Sequence, residues 1–258
     1  MNPFPVDKMQ LHDALVALTA RLEEIGDVKI RMSYDVEELE RAQQNLGKKE
    51  SGEHFRRSMD TLPPNRFFWL GAELDGKIIG TVAARCDDSA WPLQEFVKNY
   101  WERTYEAKGE TESGAAPKVL IKPGSPAEAA EYEAGRFVYL GEALTENGLR
   151  SRNLSIVLVR LALLFSFDEW RPTVAYGWMR DWHAYHGLHV RWGFNRCDTN
   201  AFEWLRPPRE TDWHDLAFLV CNQRGFQKLM KHPAPDEAFQ PRKNNSKQSR
   251  NQTPGKEE

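Results

Sequence analysis

The sequence predicts a mixed α/β fold in which a mostly antiparallel central sheet is flanked by helices. Three observations carry that expectation. FFWLGAEL and KIIGTVAARC, residues 67–74 and 77–86, are apolar runs joined by Asp75-Gly76, a dipeptide suited to two-residue hairpin turns. RFVYLGEAL, residues 136–144, reads as a strand that feeds a short polar turn carrying Arg150 and Arg152, then a long apolar helix. TVAYGWM and DLAFLVC, residues 173–179 and 215–221, add strands after it.

The other elements follow in order. Residues 7–24 place Met9, Leu11, Leu15, Leu18 and Leu22 at helical spacing. VKIRM, residues 28–32, alternates like a strand, and residues 34–45 follow as a helix. A polar stretch leads to the hairpin. Residues 88–133 break the rhythm and read as an insertion covering one side of the core. Within it a helix over 92–109 offers Leu93, Phe96, Val97, Tyr100 and Trp101 as a packing face, followed by the short apolar piece KVLI and a Pro/Gly/Ala/Glu loop. Residues 154–167 are apolar almost all round, which predicts a helix buried behind the sheet; Arg160 interrupts the run, and it is too short to span a bilayer. A helix or helical turn over 181–192 stops at Gly193. Residues 1–231 are expected to form a single domain and the polar residues 232–258 a disordered tail.

The 258 residues are 40% hydrophobic and 11% aromatic, with nine tryptophans, enough for a substantial core. A net charge of -3 gives no electrostatic case for nucleic acid or for an anionic membrane. The three cysteines, Cys86, Cys197 and Cys221, are widely spaced, form no metal motif and fit a reducing compartment. The amino terminus lacks the pattern of a secretion signal, so a cytoplasmic location is expected.

The segments FFWLGAELDGKIIGTVAAR, RFVYLGEAL with RSRNLS, and HAYHGLHVRWGFNR resemble, in that order, parts of the Gcn5-related N-acetyltransferase superfamily. The likeness covers roughly residues 28–221. It implies an acyl-CoA N-acyltransferase-like fold that uses acetyl-CoA or another acyl-CoA as co-substrate and no metal. It places the pyrophosphate over the turn and helix start, and the pantetheine arm where two central strands splay. Matched to the family's phosphate loop, Arg150 takes the first position, Asn153 the first glycine position and Ser155 the Gly/Ala position. The loop departs from the family in having no glycine at its core, but Asn tolerates positive φ and can stand in at 153. His189 takes the place often held by a tyrosine that protonates the leaving thiolate.

Read from the residues themselves, Arg150 and Arg152 with the N–H groups of Asn153, Leu154 and Ser155 can hold a diphosphate, and Leu144 ends the strand beside them. The plainer alternative pairs the arginines with Glu142 or Glu146. Glu142, near the end of its strand, is a candidate general base for an amine, directly or through water; the alternative is a carboxylate paired with Arg150. His189 is the candidate acid, with Tyr185 four residues earlier on the same helix face as its reserve. His183 and His186 complete a histidine cluster that lacks the carboxylate or cysteine spacing of a metal site. Cys197, beside Arg196, reads as an idle thiol before a nucleophile. The acidic run Glu102, Glu106, Glu110 and Glu112 suits a cationic acceptor or a solvated surface. The function expected is transfer of an acyl group, acetyl first, to a small-molecule or peptide amine. The alternative is a non-catalytic binding module on the same sheet. Oligomeric state, a homodimer included, stays open.

Overall fold

The computed structural model describes residues 6–49, 52–55, 62, 65–104, 118–122, 134–147, 153–199, 201–206 and 216–234. Its centre is a seven-stranded sheet. In spatial order the strands are β1 (Lys29–Ser33), β2 (Phe67–Leu74), β3 (Lys77–Ser89), β5 (Gly135–Thr145), β6 (Val174–Arg180), β9 (Leu216–Asn222) and β7 (Arg196–Asp198). Every pairing is antiparallel except β5 with β6. The β2–β3 turn is the one Asp75-Gly76 requires, with φ of 52° and 77° at its two central residues.

One face of the sheet is covered by α1 (Lys8–Ala20), α4 (Leu154–Trp170) and α7 (Gln223–Lys231), packed on residues such as Phe68, Val82 and Leu219. α4 is buried on nearly every side, as its composition predicts. Its first turns press onto β3 at Gly80, where an added Cβ would lie 3.0–3.2 Å from Leu158, Leu154 and the Leu144 carbonyl. The buried Arg160 donates to the carbonyl of Arg191 at 2.6 Å and that of His232 at 3.2 Å. Its guanidinium thus fastens α4 to two later segments instead of facing solvent.

The opposite face carries α2 (Val36–Asn45), a single 3₁₀ turn at Glu53–Phe55 and the inserted α3 (Leu93–Thr104). α3 buries Leu93, Val97 and Trp101, the face expected of it. KVLI is β4 (Lys118–Ile121), which pairs antiparallel with β8 (Phe202–Arg206) in a separate two-stranded sheet.

Several expectations are corrected. The helix over 181–192 is two pieces, α5 (Asp181–Tyr185) and α6 (Leu188–Trp192), broken by Gly187 at φ 72°. β7, β8 and α7 lie where no element was expected. α7 is held by long-range contact: Phe226 stacks on Phe167 with ring centroids 4.4 Å apart. Among the described residues no helix is long and apolar enough to cross a membrane. Most of the expected disordered tail lies outside the described residues, as do Glu106, Glu110 and Glu112.

Candidate functional site

β5 and β6 run parallel for only three registered pairs, ending at Tyr139 with Tyr176. Past that point β5 stays on β3 as far as Thr145, while β6 stays on β9 as far as Arg180. The two strands therefore part, and a cavity of about 230 Å³ opens between them. Leu140, Gly141 and Glu142 line one side; Gly177, Trp178 and Met179 line the other. Glycine is required at 177, because a Cβ there would sit 2.8 Å from the Leu140 carbonyl oxygen across the gap. At Gly141 a Cβ would meet the Tyr139 ring and hydroxyl at 2.8 Å, so that ring lies directly against the parting.

A bulge sets the parting. Thr81 registers with Leu144 and Ala83 with Gly141, so Glu142 and Ala143 together oppose Val82. Glu142 sits at φ 60° and its carbonyl accepts the Thr81 hydroxyl at 3.0 Å. Such an extra residue bends its strand and redirects the side chains. The Glu142 side chain is 5% exposed, and the alternative pairing with Arg150 lies outside the described residues. It accepts from Gln43 Nε2 at 2.6 Å and the Gly52 N–H at 2.8 Å, and pairs with Lys48. The carboxylate thus ties α2 and the segment before the 3₁₀ turn to the bulge. Gly52 has no room for a side chain there, since a Cβ would lie 2.5 Å from the carboxylate.

β5 leads on to α4. Leu144 is half-buried in the strand, paired with Thr81. Asn153 adopts the left-handed conformation, φ 62°, and so does the work expected of a glycine. Ile156 and Val157 donate back to the Asn153 carbonyl at 2.9 and 3.2 Å. The N–H groups of Leu154 and Ser155 are the ones left at the positive end of a 17-residue helix. Arg150 and Arg152 lie outside the described residues. A cation that sequence reasoning missed stands at the same place: Arg191 of α6 donates to Asn153 Oδ1 at 2.5 Å. Burial lowers its pKa from the usual arginine value.

The histidine cluster is rearranged by the break at Gly187. His183 lines the cavity, whereas His189 and Tyr185 do not. Tyr185 is 70% exposed, and the broken helix gives it no shared face with His189. Burial pushes the His189 imidazole below its ordinary value, with the Ala184 backbone opposing. Among the described residues no group of three His, Cys, Asp or Glu side chains is placed to hold a metal. Burial, with Asp198 and Asp181 adding to it, pushes the Cys197 thiol up to about 11, so Arg196 does not make it a thiolate.

The most unusual group is His54, in the polar stretch that carried no signal. It is 3% exposed, with its ring 3.9 Å from the rings of both Tyr100 and Tyr139 and 5.3 Å from Trp178. Its Nε2 has no hydrogen-bond partner among the described residues. Burial, then the charge of Arg85, drives its pKa well below the ordinary histidine value. The unfolded chain therefore binds a proton that the folded chain refuses. Stability is full above about pH 6.5 and falls below it, at up to about 1.4 kcal/mol per pH unit. Urea unfolding should show wild type losing about 1 kcal/mol more than His54→Phe between roughly pH 6.5 and 5.5. Equal losses would mean the imidazole titrates normally.

The sequence matches no family model and no curated protein. Among solved structures, the chain is similar to the aminoglycoside acetyltransferase AAC(6')-Ib in complex with coenzyme A and kanamycin, at 14% identity and a TM-score of 0.42. That match covers 78% of this chain and 98% of the other. It is similar to Arabidopsis thaliana NAA60 in complex with acetyl-CoA, at 14% identity over 76% and 99% of the two chains, with a TM-score of 0.42. It is also similar to Drosophila melanogaster polyamine N acetyltransferase, at 15% identity over 76% and 100%, with a TM-score of 0.45. These are likenesses of fold at low identity; the site stands on this chain's own geometry.

Proposed function

We propose that this protein is an N-acyltransferase that moves an acyl group, acetyl in the simplest case, from an acyl-CoA to an amine. The observation that carries the reading is the parting of β5 and β6 at a bulge, with the start of α4 beside it. A thioester arm can enter such a gap between two strands, while its diphosphate meets the N–H groups of Leu154 and Ser155 and the charge of Arg191. The residues present fit that ligand: Asn153 turns the chain without a glycine, and Gly177 keeps the gap clear.

In this reading the amine attacks the thioester carbonyl inside the cavity. The C–N bond forms, the C–S bond breaks, and a proton moves from nitrogen to sulfur. His183, on the cavity wall, is the histidine placed to return that proton. Glu142 positions the acceptor side through Gln43, Lys48 and Gly52, and reaches the amine only through water.

The test is calorimetric titration of the purified protein with acetyl-CoA, beside an Arg150→Ala/Arg152→Ala double variant and Arg191→Ala. Saturable binding by wild type is expected. Each lost charged contact should weaken it by about 1.5–3 kcal/mol, roughly ten- to a hundredfold. A folded wild type that binds neither acetyl-CoA nor a longer acyl-CoA overturns the reading and leaves a non-catalytic module.

A further inference from the structure

The cavity between β5 and β6 passes through the sheet from one face to the other. On the α4 face its walls are aliphatic, with Val82, Val159 and Leu219 among them, all part of the core under α4. On the opposite face it is lined by Tyr139 and Trp178, whose ring centroids are 4.8 Å apart. Tyr139 is 7% exposed, and its ring leans over Gly141, where an added Cβ would meet ring carbons and the hydroxyl at 2.8–2.9 Å. Tyr139 also stands at the narrow end of the gap, since its pairing with Tyr176 is the last in register between the two strands.

That ring is braced from behind. His54 lies 3.9 Å from it, Tyr176 5.5 Å and Phe55 5.6 Å, centroid to centroid, and Tyr100 stacks on His54 in turn at 3.9 Å. His54, Phe55 and Tyr176 are each 3% exposed or less, so a swing of Tyr139 meets packed rings instead of water. An arm whose diphosphate rests at the start of α4 enters from the α4 face and presents its thioester end to this wall. An apolar cavity of roughly 150 Å³ takes a benzene molecule, so one of about 230 Å³ takes about nine heavy atoms. An acetyl group with the sulfur, two methylenes and last amide of the arm already reaches that number. Each further methylene in line with the arm must push Tyr139 into the rings behind it.

Resting on the acyl-CoA reading above, we propose that Tyr139 determines which acyl group the site takes, its braced ring stopping the chain at about two or three carbons. The short acyl group lies against Tyr139 and Trp178, and the thioester carbon stays in the gap, where the amine attacks it. Tyr139 makes and breaks no bond; it sets the depth of the site.

Calorimetric titration with free coenzyme A, acetyl-CoA and hexanoyl-CoA tests this, each ester read against the same protein's Kd for free coenzyme A. A buried methylene tightens binding about fourfold, so an open wall would make hexanoyl-CoA much the tighter ester. A chain left in water would change nothing. Instead, hexanoyl-CoA is expected to bind at least about tenfold more weakly than acetyl-CoA, the scale of one overpacked contact. Equal or tighter binding overturns the proposal. Tyr139→Leu keeps an apolar side chain in the core and removes the ring. It should bring hexanoyl-CoA to at least the affinity of acetyl-CoA, and a folded variant that discriminates as wild type does overturns the assignment to Tyr139. If that variant does not fold, Tyr100→Leu decides from a half-buried position: with the brace loosened the discrimination should shrink, and an unchanged ratio overturns the proposal. If free coenzyme A and both esters bind alike, the acyl-CoA reading stands and the assignment to Tyr139 fails. If none of them binds, the acyl-CoA reading itself fails.

Discussion

Gly177→Ala should weaken acetyl-CoA binding at least about tenfold, with the chain still folded. The added methyl would lie 2.8 Å from the Leu140 carbonyl oxygen, closer than real contacts allow. Backbone cannot yield as a flexible side chain can, so β5 and β6 must shift where they part. Overpacking of this kind costs about 1–3 kcal/mol, a fall in Tm of roughly 2–12 °C for a chain of this size. The disturbance falls on the wall of the cavity itself, so binding suffers beyond the loss of stability. Thermal unfolding and calorimetry on the same preparation separate the two effects. Undiminished binding by the folded variant would place the thioester arm elsewhere.

Glu142→Ala should destabilise the protein by about 2–3 kcal/mol, and Glu142→Gly by about 1 kcal/mol less. The carboxylate is almost wholly buried and accepts from Gln43, the Gly52 N–H and Lys48. Its removal leaves the Gly52 N–H and Gln43 without their acceptor. Lys48, 31% exposed, can turn to water, which keeps the cost at the lower end for a broken buried pair. Glu142 also holds φ at 60°, a conformation glycine adopts without the penalty a side chain brings, and this is why the glycine variant recovers part of the loss. Urea unfolding of the three proteins measures both differences. A neutral Glu142→Ala would show that the three contacts do not hold the 48–52 segment in solution.

The unequal legibility of the elements has physical causes. The β2–β3 hairpin was readable, since Asp75-Gly76 is a local turn signal between runs of strand type, but not its register shift at Ala72/Glu73 nor the extension of β3 to Ser89. α4 was readable because an all-round apolar helix has only one place to go. The break at Gly187 carried a signal, a glycine within a short helical stretch, and the two-piece arrangement follows from it. β4 and β8 were not readable: each is short, and each is a strand only because the other pairs with it. His54 and Lys48 lie in a polar stretch whose residue types point to no element. Their significance comes from neighbours 46 and 94 positions away, such as Tyr100 and Glu142.

The sequence by itself determined the mixed sheet and its flanking helices, the hairpin and the buried α4. These depend on side-chain periodicity and on backbone preferences spanning a few residues. Only the tertiary structure decided that β5 and β6 part after Tyr139, that Glu142 secures α2, that His183 and not His189 reaches the cavity, and that Arg191 stands at the start of α4. Each of those facts is a contact between segments far apart in the chain, and it is set by how whole faces pack, not by the identity of any nearby residue.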